Sequence, residues 1–198
     1  MNEQIVVLMQ KISSLEAELE AELARNRAGL RFGLERGRVL FKEEILRRHK
    51  DLKTGLLRYV FNARPFVVST APLIYSLIVP LVFLDLAVML YQAICFPAYG
   101  IGKVRRSDYL IFDRHHLAYL NALEKLNCAY CSYANGLIAF VREVGARTEQ
   151  HWCPIKHARR VIAAHAYYAG FVDYADADAY RRTIAEMSAQ SADSLDPA

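Results

Sequence analysis

Cys128-x2-Cys131 followed by Cys153-Pro154-x2-His157 sets three thiols and an imidazole at spacings that thiolate metal sites use. Cys-x2-Cys brings two sulfurs within reach of one ion, and Cys-x3-His adds two ligands about one helical turn apart. Zinc held by Cys128, Cys131, Cys153 and His157 would staple the two ends of this segment together, with a binding free energy on the order of 10 kcal/mol. Cys95 competes for the fourth position. With Cys95 in place of His157 the site becomes four thiolates, which also suits an iron-sulfur cluster, and Cys153-Pro154 resembles the ending of some cluster-binding runs. The expected metal set is therefore Cys128, Cys131, Cys153, His157 and Cys95, with zinc or an iron-sulfur cluster as cofactor. A third reading leaves these cysteines as small core residues.

Other chemistries fit less well. Ser132 follows Cys131 where haem attachment needs histidine, and no strand-to-helix setting supports a thioredoxin-like pair. Gly100-x-Gly102 lacks the third glycine of a dinucleotide loop. Asp173, Asp176 and Asp178 lack the glycine and glutamate of a calcium loop and suit a helix start. His115 and His116 follow Asp113-Arg114, but adjacent helical residues diverge by about 100°, so both are expected on the surface or at a cap. Glu143 and Arg147 have the spacing of an ion pair within one helix, and Glu149 that of a hydrogen-bond partner for a ligand histidine. His165 is expected two turns beyond His157 on one helix, as a neighbour of the site. Trp152, beside Cys153, suits shielding a metal or anchoring at an interface.

The elements that must position these groups differ sharply in composition. Residues 4–60 carry Leu8, Ile12, Leu19, Leu23, Leu30, Leu34, Phe41, Ile45, Leu52 and Leu56 at alternating spacings of four and seven, an eleven-residue repeat that predicts one long, nearly straight amphipathic helix. Gly29, Gly33 and Gly37 on an adjoining face mark either a close contact or a break. The stripe packs either on the rest of its own chain or, because its length exceeds what a small domain covers, on another chain, as in a coiled coil, or on a membrane surface.

From Phe66 to Phe96 Asp85 is the only formally charged residue, and the run exceeds the roughly 20 residues a helix needs to cross hydrocarbon. Pro80 predicts a kink, giving either a single kinked span or a re-entrant hairpin. Asp85 should face protein or a water-filled crevice, as a proton or cation relay or as an interfacial residue. Basic residues flank the block, Arg47 to Arg64 on one side and Lys103, Arg105 and Arg106 on the other, as anionic headgroups favour. Beyond it, helices are predicted from Asp108 to Asn127, from Leu137 after a turn at Asn135-Gly136, from Pro154 to Gly170, and from near Asp176.

The expected fold class is mainly α: a long N-terminal amphipathic helix, one membrane-embedded kinked helix or re-entrant hairpin, and a C-terminal helical Cys/His metal-binding module. The divisions fall at 1–64, 65–97 and 98–187, with a disordered tail at 188–198. The net charge of +4 is modest and the N-terminal basic residues are interleaved with acids, so nucleic acid is not an expected partner. Neither a cleavable signal peptide nor a catalytic motif is expected, and the cysteines suit a reducing compartment. The function expected is a membrane-anchored metal-binding adaptor whose partners are the lipid bilayer and a second copy or helical protein, its Cys/His module facing the cytoplasm. A one-electron iron-sulfur carrier is the alternative. A lipid-modifying enzyme using Asp85, Asp113 and His115 ranks behind both.

Overall fold

The computed structural model of the protein describes residues 3–29, 32–35, 38–41, 43–62 and 64–195. It is mainly helical. Helix α1 (Glu3–Gly29) is followed by a hairpin of β1 (Phe32–Glu35) and β2 (Arg38–Phe41), with Phe32 opposite Phe41 and Gly33 opposite Leu40. Helices α2 (Glu43–Asp51) and α3 (Leu56–Phe61) come next, so the continuous helix expected over 4–60 is interrupted. The break falls where Gly29 and Gly33 cost about 1 kcal/mol each relative to alanine in a helix. Leu30 and Gly37 lie outside the described residues, as do the side chains of Leu34, Phe41 and Ile45. Residues 1–54 group with 116–121 as one compact unit, in which the rings of His49 and Tyr119 meet edge to face at 5.0 Å.

The second unit, residues 55–115 with 122–198, holds everything that follows. Helix α4 (Pro65–Ser76) begins with proline in its first turn, where no amide donor is needed. It ends at Ser76, whose carbonyl is the one the Pro80 ring would strike. Only Leu77, in right-handed helical conformation (φ −63, ψ −13), separates it from α5 (Ile78–Ala98). One such residue cannot reverse the chain, so the apolar run is a kinked helix and not a hairpin. The stretch Val68–Ala98 is long and apolar enough to cross a membrane.

Helix α6 (Ala122–Trp152) runs unbroken through Asn135-Gly136, where a turn was expected. Gly136 is buried, and a Cβ there would sit 2.5 Å from the Tyr109 carbonyl oxygen. The glycine serves close approach of another chain segment, and the Asn135 amide donates back to the Cys131 carbonyl one turn earlier at 2.9 Å. Contacts between the two long elements climb together: the Tyr75 hydroxyl meets Asn127, Tyr133 meets Asp85, Tyr91 meets Thr148, and the Tyr99 ring meets Trp152. The α4–α5 helix and α6 are therefore parallel. A parallel pair needs a connection as long as the helices, and residues 99–115 run back along the groove between them. This segment is irregular, with a turn at Tyr99-Gly100 and 3-10 turns at Arg106–Asp108 and Arg114–His116, which replace the start of the helix expected from Asp108 to Asn127. The core is sealed by Phe96 from α5, Val104 and Leu110 from the return segment, and Leu137, Phe140 and Val144 from α6.

Beyond Trp152 the predicted Pro154–Gly170 helix does not form. Instead Ile155 bridges to Val172, with Lys156 N–H donating to the Val172 carbonyl (2.7 Å) and Val172 N–H to the Pro154 carbonyl (2.8 Å). Helix α7 (Ala177–Leu195) starts on an Asp176 cap, whose carboxylate accepts from the Ala179 amide at 2.9 Å. It continues through most of the stretch expected to be a disordered tail.

Candidate functional site

The return segment is non-helical backbone pressed between two helices, so its amides need partners there. Gln92 supplies them: its amide nitrogen donates to the Val104 carbonyl (3.1 Å) and its oxygen accepts from the Val104 amide (2.7 Å). The buried Gln92 side chain thus acts as a one-residue strand. Seven residues earlier on the same face of α5, Asp85 is 7% exposed and accepts three hydrogen bonds. Arg106 Nε donates to Oδ1 (3.0 Å), Arg106 Nη2 to Oδ2 (2.6 Å), and the Tyr133 hydroxyl to Oδ2 (3.0 Å). Asp85 faces protein, as its depth in an apolar run requires, and clamps the return segment to both helices.

A second polar cluster sits toward the C-terminal end of α6. Arg147 bonds Glu143 (2.8 Å) and the Gly102 carbonyl (2.7 Å), and the Tyr167 hydroxyl donates to Glu143 (2.7 Å). His165 Nε2 lies 3.0 Å from Glu149. Burial pushes the Glu143 carboxyl up, but the hydrogen bonds from Tyr167 and Arg147 outweigh it and hold the group below its ordinary range. The same Glu143 bond, with burial second, raises the Tyr167 phenol. Beside these groups a cleft of about 370 Å³ is lined by Gly102, Arg147, Gln150, His151 and Tyr167. Sequence spacing anticipates the Glu143–Arg147 pair. Tyr167 and Tyr133 carry no local sequence signal, whereas Asp85 and Gln92 at i and i+7 in an apolar run are a legible polar stripe.

The expected metal ligands are not brought together. Cys128 and Cys131 lie in the second and third turns of α6, and Cys153 immediately follows its last residue. From Cys131 to Trp152 the helix rises about 30 Å at 1.5 Å per residue, whereas ligands of one ion lie within a few ångströms of each other. One chain therefore does not close a site from Cys128, Cys131, Cys153 and His157. Cys95, one turn before Tyr99, is at the Cys153 end of the helix pair, far from Cys128 and Cys131. His157 stacks on Tyr168, with ring centroids 6.2 Å apart, and its amide donates to the Tyr168 hydroxyl (2.7 Å). Among the described residues no three His, Cys, Asp or Glu side chains gather in a metal-holding group.

Comparison with protein-family models, curated proteins and solved structures finds no match. The functional reading therefore rests on this geometry.

Proposed function

We propose that the chain is a membrane-anchored adaptor in which the α4–α5 helix lies along one leaflet, its apolar face in hydrocarbon and the return segment and α6 toward water. The observation that carries this is a one-sided surface. Val79, Phe83, Leu86, Leu90 and Ile94 are each 62–74% exposed, and at 100° per residue they occupy an arc opposite Asp85, Gln92 and Phe96. Across the pair, level with the middle of α5, the Arg105 side chain is 81% exposed and pairs with the half-exposed Asp108 at 3.1 Å. A transmembrane orientation would hold that arginine at mid-depth, at about 2.5–3.5 kcal/mol on insertion scales. An in-plane orientation leaves it in water.

The anchor supports the adaptor reading without a shared metal, and a metal at either end of α6 would need ligands from elsewhere. A cluster-bearing electron carrier meets the same separation of its thiols. The N-terminal α1 adds a docking element: Leu8, Ile12, Leu15 and Leu19 are 55–63% exposed at spacings of four, three and four, which fits a coiled-coil seam with a second copy.

The test uses the distance between thiols. Cys131 and Cys153 are both exposed and mark opposite ends of the helix pair. In sealed, oriented vesicles an impermeant maleimide should label both from the same side, and the protein should resist carbonate extraction. Labelling from opposite sides would establish a span and refute the in-plane orientation. Phe83→Glu with Leu90→Glu should abolish flotation with vesicles, and unchanged flotation would refute the anchor itself.

A further inference from the structure

A half-open apolar groove of about 400 Å³ lies between α3, α4 and the first turns of α6, lined by Val60, Val68, Ala71, Ile74 and Leu123. Its volume falls within the range of about 300–1,000 Å³ of small-ligand sites. Two of the hydroxyls on its wall are engaged with protein. The Tyr75 hydroxyl donates to Asn127, and the Tyr130 hydroxyl donates to the Ile74 carbonyl at 2.8 Å. Such a lining selects hydrocarbon over a polar ligand.

Two observations indicate where the hydrocarbon comes from. Val68 and Ile74 line the groove, are themselves 46% and 49% exposed, and belong to the same apolar run as the lipid-facing residues of α5. At 100° per residue Val68 falls on the stripe of Val79, Phe83 and Leu86, so at this edge the groove adjoins the surface assigned to the bilayer. Arg58, one residue before the lining Tyr59, and Arg64, the residue preceding α4, are both solvent-exposed cations on the elements that frame it.

We infer that this groove takes one acyl chain of an anionic phospholipid from the leaflet in which α4–α5 lies, with the headgroup phosphate near Arg58 and Arg64. The inference rests on the membrane reading above. It adds a specific lipid site to a general apolar surface, and it gives the exposed Cys131 at the groove lining a role as reporter.

The full chain in nonionic detergent is offered phosphatidylglycerol or phosphatidylcholine at equal concentration, and bound lipid is counted by native mass spectrometry. One phosphatidylglycerol per chain should be retained, several-fold over phosphatidylcholine. Ala71→Trp should abolish retention and leave vesicle flotation intact. Arg58→Gln with Arg64→Gln should erase the headgroup preference and keep an apolar occupant. In the unaltered chain, added lipid should slow alkylation of Cys131 by N-ethylmaleimide several-fold and leave Cys153 unaffected, a readout that holds even where Ala71→Trp fails to fold. Retention that survives a folded Ala71→Trp, or a Cys131 rate indifferent to lipid, overturns the groove. An unchanged preference in the arginine variant overturns the headgroup assignment. Protein that floats with vesicles but keeps no lipid refutes the groove alone, whereas protein that fails to float refutes the membrane reading beneath it.

Discussion

Removing either side of the Asp85–Arg106 clamp should have unequal cost, and removing both should cost less than the sum. The Asp85 side chain is 10% exposed and that of Arg106 is 38% exposed. Arg106→Met leaves a carboxylate nine-tenths buried with, among the described residues, the Tyr133 hydroxyl as its remaining donor. Breaking a buried pair this way costs about 3 kcal/mol, the low end of the usual range, because the guanidinium is partly hydrated to begin with. Asp85→Leu is milder, about 2 kcal/mol, because Arg106 can turn to water and only the Tyr133 hydroxyl is stranded. The double variant replaces the pair with apolar side chains and should lose about 3 kcal/mol, so the coupling is about 2 kcal/mol. The measurement is urea unfolding in mild detergent, followed through Trp152. That sole tryptophan packs on Tyr99 at 5.1 Å and so reports whether α6 remains docked at the end of α5. Losses that add within about 0.5 kcal/mol would show that the two residues do not meet, and would refute the threaded return segment.

Gly136→Ala pushes a methyl against the Tyr109 backbone and should destabilise by about 2 kcal/mol in the same assay; a neutral result would mean that the return segment does not approach α6 there. Glu143 has its carboxyl held below its ordinary value of 4.5, so its contribution is present above that value and is lost as pH falls through the lower folded value. Stability of the C-terminal segment should therefore drop with acid, and Tyr167→Phe should flatten that part of the profile in urea unfolding at a series of pH values. Cys153→Ser should leave unchanged any metal held through Cys128 and Cys131; loss of that metal by elemental analysis would restore a shared site and contradict the unbroken α6. Leu15→Asp should shift the full chain to a smaller species by light scattering, and an unchanged mass would remove the α1 seam.

The helical class, the apolar run and its kink, the Asp176 helix start and the Glu143–Arg147 pair were legible because each depends on neighbours within about a turn. The shared metal site was not. Its spacing presumes a chain that folds back between Cys131 and Cys153, and that presumption rested on reading Asn135-Gly136 as a turn. The dipeptide has two uses, a turn and a close helix contact, and the choice is made by Tyr109, which lies far away in sequence. The missing Pro154–Gly170 helix has the same origin: Lys156 pairs with Asp173 at 2.7 Å and Arg142 donates to the Ala163 carbonyl at 2.5 Å, partners that no local window contains. In residues 4–60 the eleven-residue repeat predicts one helix, but the paired strands β1 and β2 divide it.

The parallel helix pair and the one-sided surface follow from one constraint. A short turn after α5 would have made α6 antiparallel and left no irregular backbone to accommodate. The longer route sends non-helical chain past the middle of an apolar helix, and such backbone is tolerated near hydrocarbon only where protein groups satisfy it. Gln92 pairs both backbone groups of Val104, Arg147 takes the Gly102 carbonyl, and Asp85 fixes the side chain of the turn at Arg106. Each of these partners comes from the helix faces that meet the segment, and none from the exposed side of α5, which stays apolar from Val79 to Ile94. The polar side chains within α5 therefore hold the return segment in place while the opposite face stays apolar, as the proposed in-plane anchor requires.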